Sequence, residues 1–149
     1  MKTKRFYNAK FASEIENIGS VINEILCRLN SLDGINDAFV FETKVILNEL
    51  IVNAIKHGNN CISNKSVKVS VSLIRDQYLL FAIQDEGEGC PHNYIVSDTV
   101  SDGRPDDINN CFSLLESGRG IVIVKCLCDK LKFNKKGNRV LVLKRIHSS

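Results

Sequence analysis

Apolar residues in the first part of the chain change from strand-like to helical spacing. Arg5 to Phe11 favours a short strand, and Ser13 with Glu16 fits a capping box at the start of a helix. Apolar side chains then recur at intervals of three and four, at Ile15, Ile18, Ile22, Ile25, Leu26 and Leu29. This spacing predicts an amphipathic helix that ends near Asn30.

A second helix is predicted from about Asp37 to His57, with Asn36 or Asp37 as its N-cap. Gly58 stands where helices commonly end in a left-handed residue. The second half of this helix is apolar nearly all round, at Val45, Ile46, Leu47, Leu50, Ile51, Val52, Ala54 and Ile55.

One polar stripe interrupts that apolar surface. Glu49, Asn53 and His57 are spaced i, i+4, i+8, and therefore lie along one face of the helix. Burying a carboxylate and an amide without partners costs several kcal/mol, roughly the penalty of unpaired polar groups. Either a ligand faces the stripe or solvent does, and the helix alone leaves both interpretations open.

Alternating and continuous apolar runs predict the strands. Ser66 to Ile74 alternates as a half-buried strand does, and Tyr78 to Ile83 is a continuous apolar run typical of a central strand. Ile121 to Cys128 favours a helix, and Lys130–Asn134 with Arg139–Ile146 favours a hairpin. This order predicts an α+β fold, a two-layer sandwich with helices on one face of a mixed, mostly antiparallel sheet.

The stretch from Asp85 to Gly120 has little periodicity and is rich in Gly, Asp, Asn and Ser. A loop of this length inside a compact domain is usually functional, often a lid. We therefore expect one domain over residues 1–149, with a lid at about 90–117.

Composition excludes several classes of protein. The chain has 149 residues, a hydrophobic fraction of 44%, a charged fraction of 25% and a net charge of +3, which are ordinary values for one globular domain. The basic residues are scattered, which gives nucleic-acid binding little support. No apolar stretch is long enough for a membrane span, and no signal core follows the basic N-terminus, so we expect a cytoplasmic protein. The six cysteines form no C-x-x-C pair, and we expect reduced thiols, several of them in the core.

Two glycine-bearing segments complete the chemistry of the polar stripe. Asp85-Glu86-Gly87-Glu88-Gly89 follows a predicted buried strand, where the aspartate could accept a hydrogen bond from an exocyclic amine of a base. Ser117-Gly118-Arg119-Gly120 stands at the start of a predicted helix, where exposed N–H groups and an arginine suit phosphate oxygens. Each segment alone is equally typical of a plain turn or of a glycine-rich helix start.

Together and in this order, the three segments resemble the motifs of the GHKL ATPases. Glu49-Leu50-Ile51-Val52-Asn53-Ala54-Ile55-Lys56-His57-Gly58 resembles the N-box, and the segments at 85–89 and 117–121 resemble the G1 and G2 boxes. The short length of the chain and its sequence at positions 53–58 and 118–121 are most similar to the anti-sigma-factor serine kinases. The closing segment 137–145 also resembles their last hairpin. Cys90-Pro91 and the predicted lid do not match the family's pattern.

The resemblance implies a Bergerat-type fold, ATP and Mg²⁺ as cofactors, and a role for each matching residue. Glu49 would be the general base, and Asn53 would bind Mg²⁺. Asp85 would bind the adenine amino group. The glycines of both boxes, with Arg119, would approach the nucleotide and its phosphates, at Gly87, Gly89, Gly118, Arg119 and Gly120. Lys56 and His57 would lie near the site, although His57 could equally interact with the dipole at a helix end.

The implied function is an ATP-dependent serine/threonine protein kinase and anti-sigma factor of bacterial transcription regulation. It would bind a sigma factor and phosphorylate a STAS-type anti-anti-sigma protein, as a homodimer. The alternative is a non-catalytic module that binds ATP and its protein partners in a nucleotide-dependent way. A histidine kinase fragment is disfavoured because no histidine precedes Glu49. A plain α+β domain with coincidental motifs is the remaining alternative.

Overall fold

A computed structural model describes residues 3–87 and 118–146 of the chain. Within these ranges the strands are β1 (Thr3–Ala12), β2 (Ser66–Ile74), β3 (Tyr78–Gln84), β4 (Lys130–Phe133) and β5 (Arg139–Arg145). The helices are α1 (Ile18–Leu29), α2 (Asp37–Asn53) and α3 (Gly118–Leu127). A 3₁₀ turn (Ile15–Asn17) leads into α1, and a π turn (Ala54–Gly58) continues α2. The predicted lid lies outside the described residues.

The strands form one sheet in the order β1-β2-β3-β5-β4, and each described pair of neighbours is antiparallel. The strand predicted at Arg5–Phe11 is longer at both ends, and the other four lie within one or two residues of their predicted bounds. The predicted α+β sandwich with a mostly antiparallel sheet is therefore confirmed.

The core lies between the sheet and the helices. Period-2 alternation turns one apolar set of the central strands inward, and these side chains are buried: Val67, Val69, Val71, Leu79, Phe81, Ile83, Val140 and Val142. Helix α2 packs against both α1 and α3, and is therefore the central helix of its layer. Each fully buried side chain of this size stabilises the fold by about 1.5–3 kcal/mol.

Two predicted helix caps had different outcomes. Asn36 caps α2, because its Oδ1 accepts a hydrogen bond from the Phe39 N–H at 2.8 Å. The capping box of Ser13 is wrong, since the Ser13 hydroxyl is buried without a hydrogen-bond partner. The Ser13 N–H donates to Lys65 O at 3.0 Å, which continues the β1–β2 pairing and draws this residue into the interior. The chain then starts its first helical turn at Ile15, as a 3₁₀ turn.

The expectation that several cysteines lie in the core is wrong for those that the structure describes. Cys27, Cys61 and Cys126 are exposed, and Cys128 is half-buried. Cys27 and Cys126 occupy outward positions of helices and Cys61 lies in a turn, whereas Cys128 packs partly against the core. Within residues 3–87 and 118–146, no helix has the length and apolar character needed to cross a bilayer.

Lys144 is a buried cation that joins three elements. It lies on the inward face of β5 and is 5% exposed. Its Nζ donates to Glu42 Oε1 on α2 at 2.7 Å and to Leu127 O at the end of α3 at 2.6 Å. The ammonium also lies 5.0 Å from the centre of the Phe39 ring. Lys144 pairs with Leu79 at the start of β3, so it lies at the opposite end of the sheet from Asp85.

Candidate nucleotide site

The alternation of β3 directs Asp85 toward the helices. Phe81 and Ile83 face inward, and Asp85 continues the same phase immediately after the strand ends. Its backbone is fixed by the β4–β5 turn, because the Asp85 N–H donates to Asn138 O at 2.9 Å. Asp85 is consequently only 9% exposed, a low value for a carboxylate.

Asp85 packs directly against two backbones, which explains the glycines around it. A Cβ on Gly58 would overlap the Asp85 carboxylate, and a Cβ on Gly87 would overlap the carbonyl of Gly58. The Gly87 N–H donates to Asp85 Oδ1 at 2.8 Å. Any larger side chain at either glycine would separate the loop after β3 from the end of the π turn. The N-box and the G1 box are therefore in contact through Gly58, Asp85 and Gly87.

The Asp85 carboxyl has an unusual proton affinity. Burial raises its pKa to about 6, because a charged carboxylate loses hydration there. The hydrogen bond from Gly87 N–H and the positive charges of Lys65 and Lys136 act in the opposite direction, and burial outweighs them. An adjacent hydrogen-bond donor from a ligand would favour the ionised form.

Glu49 lies at the contact between α2 and α3. A Cβ on Gly120 would overlap Glu49 Oε2 and would lie 3.3 Å from Glu49 Cδ. Gly120 is in the first turn of α3, whose free N–H groups and dipole favour anions. The G2 box therefore begins a helix, and its glycine leaves the space that the Glu49 carboxylate occupies.

Helix α2 with its π turn carries both contacts, that of Glu49 with Gly120 and that of Gly58 with Asp85. Gly58 lies nine positions after Glu49, roughly 13 Å along the axis at the rise of a helix. That span is comparable with the length of a nucleoside triphosphate. Asn53 lies between them, one turn beyond Glu49, at the junction of α2 with the π turn. Single π turns inside helices occur frequently at functional sites.

Asn53 carries an unsatisfied polar group. Its Nδ2 is buried without a hydrogen-bond partner. Such a group is costly unless a ligand or water satisfies it, and a half-turn of the amide exchanges its oxygen and nitrogen. This orphaned amide is what a site for a polar ligand would contain.

The donor set fits Mg²⁺ held mainly by phosphates. Among residues 3–87 and 118–146, no group of three His, Cys, Asp or Glu side chains could hold a metal ion. Mg²⁺ keeps several waters and commonly takes only one or two protein oxygens beside substrate phosphates. The amide of Asn53 could supply one such oxygen.

The other predicted site residues are placed in part. Lys56 and His57 lie on the π turn and are half-buried. Gly118 and Arg119 lie in the first turn of α3. The helix starts earlier than its predicted beginning at Ile121, so the G2 glycines are helical. Gly89 and the side chain of Arg119 lie outside what the structure describes.

Sequence reasoning missed two asparagines beside Asp85. Neither Asn59 nor Asn138 is among the residues that the sequence predicts for the site. Asn59 is fully buried and Asn138 holds the backbone of Asp85. For Asn59, the sequence offers a weak signal, a polar residue directly after the glycine that ends the helix. Asn138 gives no local signal, because its partner is fifty-three positions away.

Comparison with known proteins identifies the family of this domain. The profile of the histidine kinase-like ATPase domain family matches residues 11–144. The chain is distantly homologous to anti-sigma F factors. That of Clostridium perfringens strain SM101 is 22% identical over 142 residues, which cover 93% of this chain and 95% of that protein. That of Geobacillus stearothermophilus is 26% identical over 130 residues, 87% and 83% of the two chains. That of Geobacillus kaustophilus is 30% identical over 111 residues, 72% and 70%.

The matched region contains every described element of the site, from the contact of Gly58 with Asp85 to that of Glu49 with Gly120. Membership of an ATPase family implies ATP binding, which fits a line of polar groups along α2. The chain belongs to the histidine kinase-like ATPase domain family.

Proposed function

We propose that the protein is an ATP-dependent serine/threonine kinase that acts as an anti-sigma factor. It binds a sigma factor and phosphorylates a STAS-type anti-anti-sigma protein. One observation carries the proposal: the α2–π helix meets the buried Asp85 carboxylate at Gly58 and places the Glu49 carboxylate against the first turn of α3, at positions roughly 13 Å apart along the helix.

Asp85 is the group proposed to select adenine. Its carboxylate accepts a hydrogen bond from the exocyclic amino group, whereas guanine presents a carbonyl at the corresponding position. A buried site that is built to bond one donor discriminates strongly against an analogue without it. The close packing of Gly58 and Gly87 supports this role, since it fixes the carboxylate between two backbones. Gly89 is proposed to continue the same loop beside the nucleotide.

Glu49 is the proposed general base. The substrate hydroxyl oxygen attacks the γ-phosphorus, the bond to the ADP leaving group breaks, and Glu49 takes the hydroxyl proton. Phosphoryl transfer depends mainly on positioning and charge neutralisation, and the first turn of α3 with Gly118, Arg119 and Gly120 is suited to phosphate oxygens. Asn53 would hold Mg²⁺, which neutralises phosphate charge when bound. Lys56 and His57 are proposed to lie beside these groups.

The protein partners are proposed from the relatives. The similar proteins are anti-sigma F factors, and this chain covers most of their length. That likeness supports a sigma factor as the partner, and we propose the STAS-type substrate and the homodimeric assembly from the resemblance of the sequence motifs.

The test is transfer of labelled γ-phosphate from ATP to a cognate STAS protein. Wild type is compared with Glu49→Ala and with Asn48→Ala, an exposed neighbour on the same helix. Loss of a general base is expected to slow transfer by about 10²–10⁴-fold, while the Asn48 variant keeps the wild-type rate.

Equal transfer by wild type and Glu49→Ala would refute the base assignment. ATP binding that changes partner affinity without any transfer by the wild type would instead establish the non-catalytic regulatory module.

A further inference from the structure

A buried side chain outside the proposed nucleotide contacts joins three segments of the site. Asn59 directly follows the π turn and is 0% exposed. Its backbone N–H donates to Ala54 O at 2.9 Å, the hydrogen bond that closes the π turn. The position of Asn59 is therefore fixed by the same turn that brings Gly58 onto Asp85.

Both ends of the Asn59 amide are satisfied by different elements. Nδ2 donates to Ser66 O at the start of β2 at 2.9 Å, and Oδ1 accepts from the Glu86 N–H at 2.8 Å. Exchanging the oxygen and nitrogen would put a donor against a donor and an acceptor against an acceptor. The two contacts therefore fix the orientation of the amide.

Glu86 adds a second connection between the same two segments. Its carboxylate accepts hydrogen bonds from both the backbone N–H and the hydroxyl of Ser66. These bonds lower the pKa of Glu86, so the carboxylate stays ionised. Asn59, Ser66 and Glu86 together form what we name the clasp.

The clasp holds the segment that carries Asp85. The Glu86 N–H belongs to the peptide unit that joins Asp85 to Glu86, so its bond to Asn59 fixes that unit, while the next unit is held by the bond from Gly87 N–H to Asp85 Oδ1. The backbone of Asp85 is held from the other side by Asn138. Without Asn59, the Glu86 N–H would lose its partner and the end of the π turn would lose its link to β2.

We propose that Asn59 is a positioning residue for nucleotide selection, which holds the Asp85–Gly87 segment against Gly58 in the geometry that recognises adenine. The inference rests on the proposed function, since it assigns Asn59 to the same site. Asn59 acts through the backbone of the loop, whereas Asp85 contacts the base. A group held in this way loses selectivity when released, even where the fold survives.

The experiment measures dissociation constants for ADP and GDP by calorimetry, in wild type, Asn59→Ala and Lys144→Ala. Lys144→Ala is the matched control, because it removes buried hydrogen bonds at the opposite end of the sheet. Thermal melts identify a temperature at which all three proteins are folded. Asn59→Ala is expected to lower the preference for ADP over GDP about tenfold or more, of the order of one lost buried hydrogen bond. Lys144→Ala is expected to keep the wild-type preference.

If Asn59→Ala does not fold, Asn59→Ser replaces it, since a hydroxyl can keep one of the two contacts and should lose part of the preference. An unchanged ADP/GDP ratio in a folded Asn59 variant overturns the inference and leaves the proposed function standing. So does an equal loss of preference in Lys144→Ala. A wild type that binds ADP and GDP equally overturns the proposed function, and this inference with it.

Discussion

At the scale of single residues, the position of Asp85 determines how its charge responds to pH. The carboxyl lies against Gly58 and accepts the Gly87 N–H, with little contact to water. Two effects change the protonation of this carboxyl in opposite directions: burial favours the neutral acid, and a hydrogen-bond donor on a base favours the carboxylate. Burial acts in the free protein, and the donor acts only in the nucleotide complex.

The stability of the free protein should therefore fall with rising pH through the range of Asp85. Its folded pKa of about 6 lies above the value of about 4 in an unfolded chain. The stabilisation from proton binding is fully present below pH about 4 and is lost as pH rises through about 6, up to about 3 kcal/mol. Because asparagine resembles the neutral acid, denaturant unfolding should find wild type and Asp85→Asn closest in stability near pH 4, and the wild type should lose up to about 3 kcal/mol relative to the variant by pH 7. A wild type that keeps or gains stability relative to Asp85→Asn as pH rises from 4 to 7 would contradict the burial argument.

Nucleotide affinity should change in the opposite direction. Because adenine needs the ionised carboxylate as an acceptor, ATP should bind more weakly as pH falls through about 6. The dissociation constant measured by calorimetry from pH 5 to 8 tests this, with Asp85→Asn as the variant whose affinity should lack the step.

Gly120 and Gly19 offer a matched pair of helical glycines. Nothing would contact a Cβ on Gly19, whereas a Cβ on Gly120 would overlap the Glu49 carboxylate. Gly19→Ala should stabilise the protein by about 0.5–1 kcal/mol and leave phosphate transfer unchanged. Gly120→Ala should displace Glu49 and slow transfer at least tenfold. Single-turnover rates measured beside unfolding curves separate the two effects, and normal transfer by Gly120→Ala would argue against a functional contact there.

At the scale of elements, the sequence predicted best what depends on local pattern. The β2 strand and the Asn36 cap follow from alternation and capping chemistry within a few residues, and both were predicted. The π turn was not predicted, because apolar periodicity marks a helix without revealing which carbonyl each N–H reaches. The clasp of Asn59 was not predicted because its partners come from two other segments. Ser13 failed as a cap because pairing with Lys65 drew its side chain inward.

Lys144 joins elements that local patterns do not connect. Removing it in Lys144→Ala would leave the carbonyl of Leu127 and the carboxylate of Glu42 without their partner. We expect a loss of about 1–3 kcal/mol in the free energy of unfolding, measured by denaturant titration. Lys132→Ala, on the exposed side of β4, should stay within about 0.5 kcal/mol of wild type. Equal effects of the two substitutions would show that the buried hydrogen bonds add nothing.

At the scale of the whole molecule, one helix, α2, contributes to both the core and the candidate site. Apolar side chains of α2 belong to the same buried cluster as those of the sheet, while Glu49, Asn53 and Gly58 succeed one another along α2 and its π turn. Strand β3 places Asp85 against Gly58, and α3 places Gly120 against Glu49. The motifs found in the sequence are separated along the chain, and this arrangement of α2 is what brings the described ones together.

Calorimetric titration of the wild type and of Asp85→Ala with Mg-ATP and Mg-GTP tests that arrangement most directly. The wild type should prefer ATP by at least tenfold, and Asp85→Ala should lose the preference because it removes the proposed acceptor for the adenine amino group. Binding of ATP by Asp85→Ala with unchanged affinity and selectivity would contradict the account, since the nucleotide would then lie elsewhere.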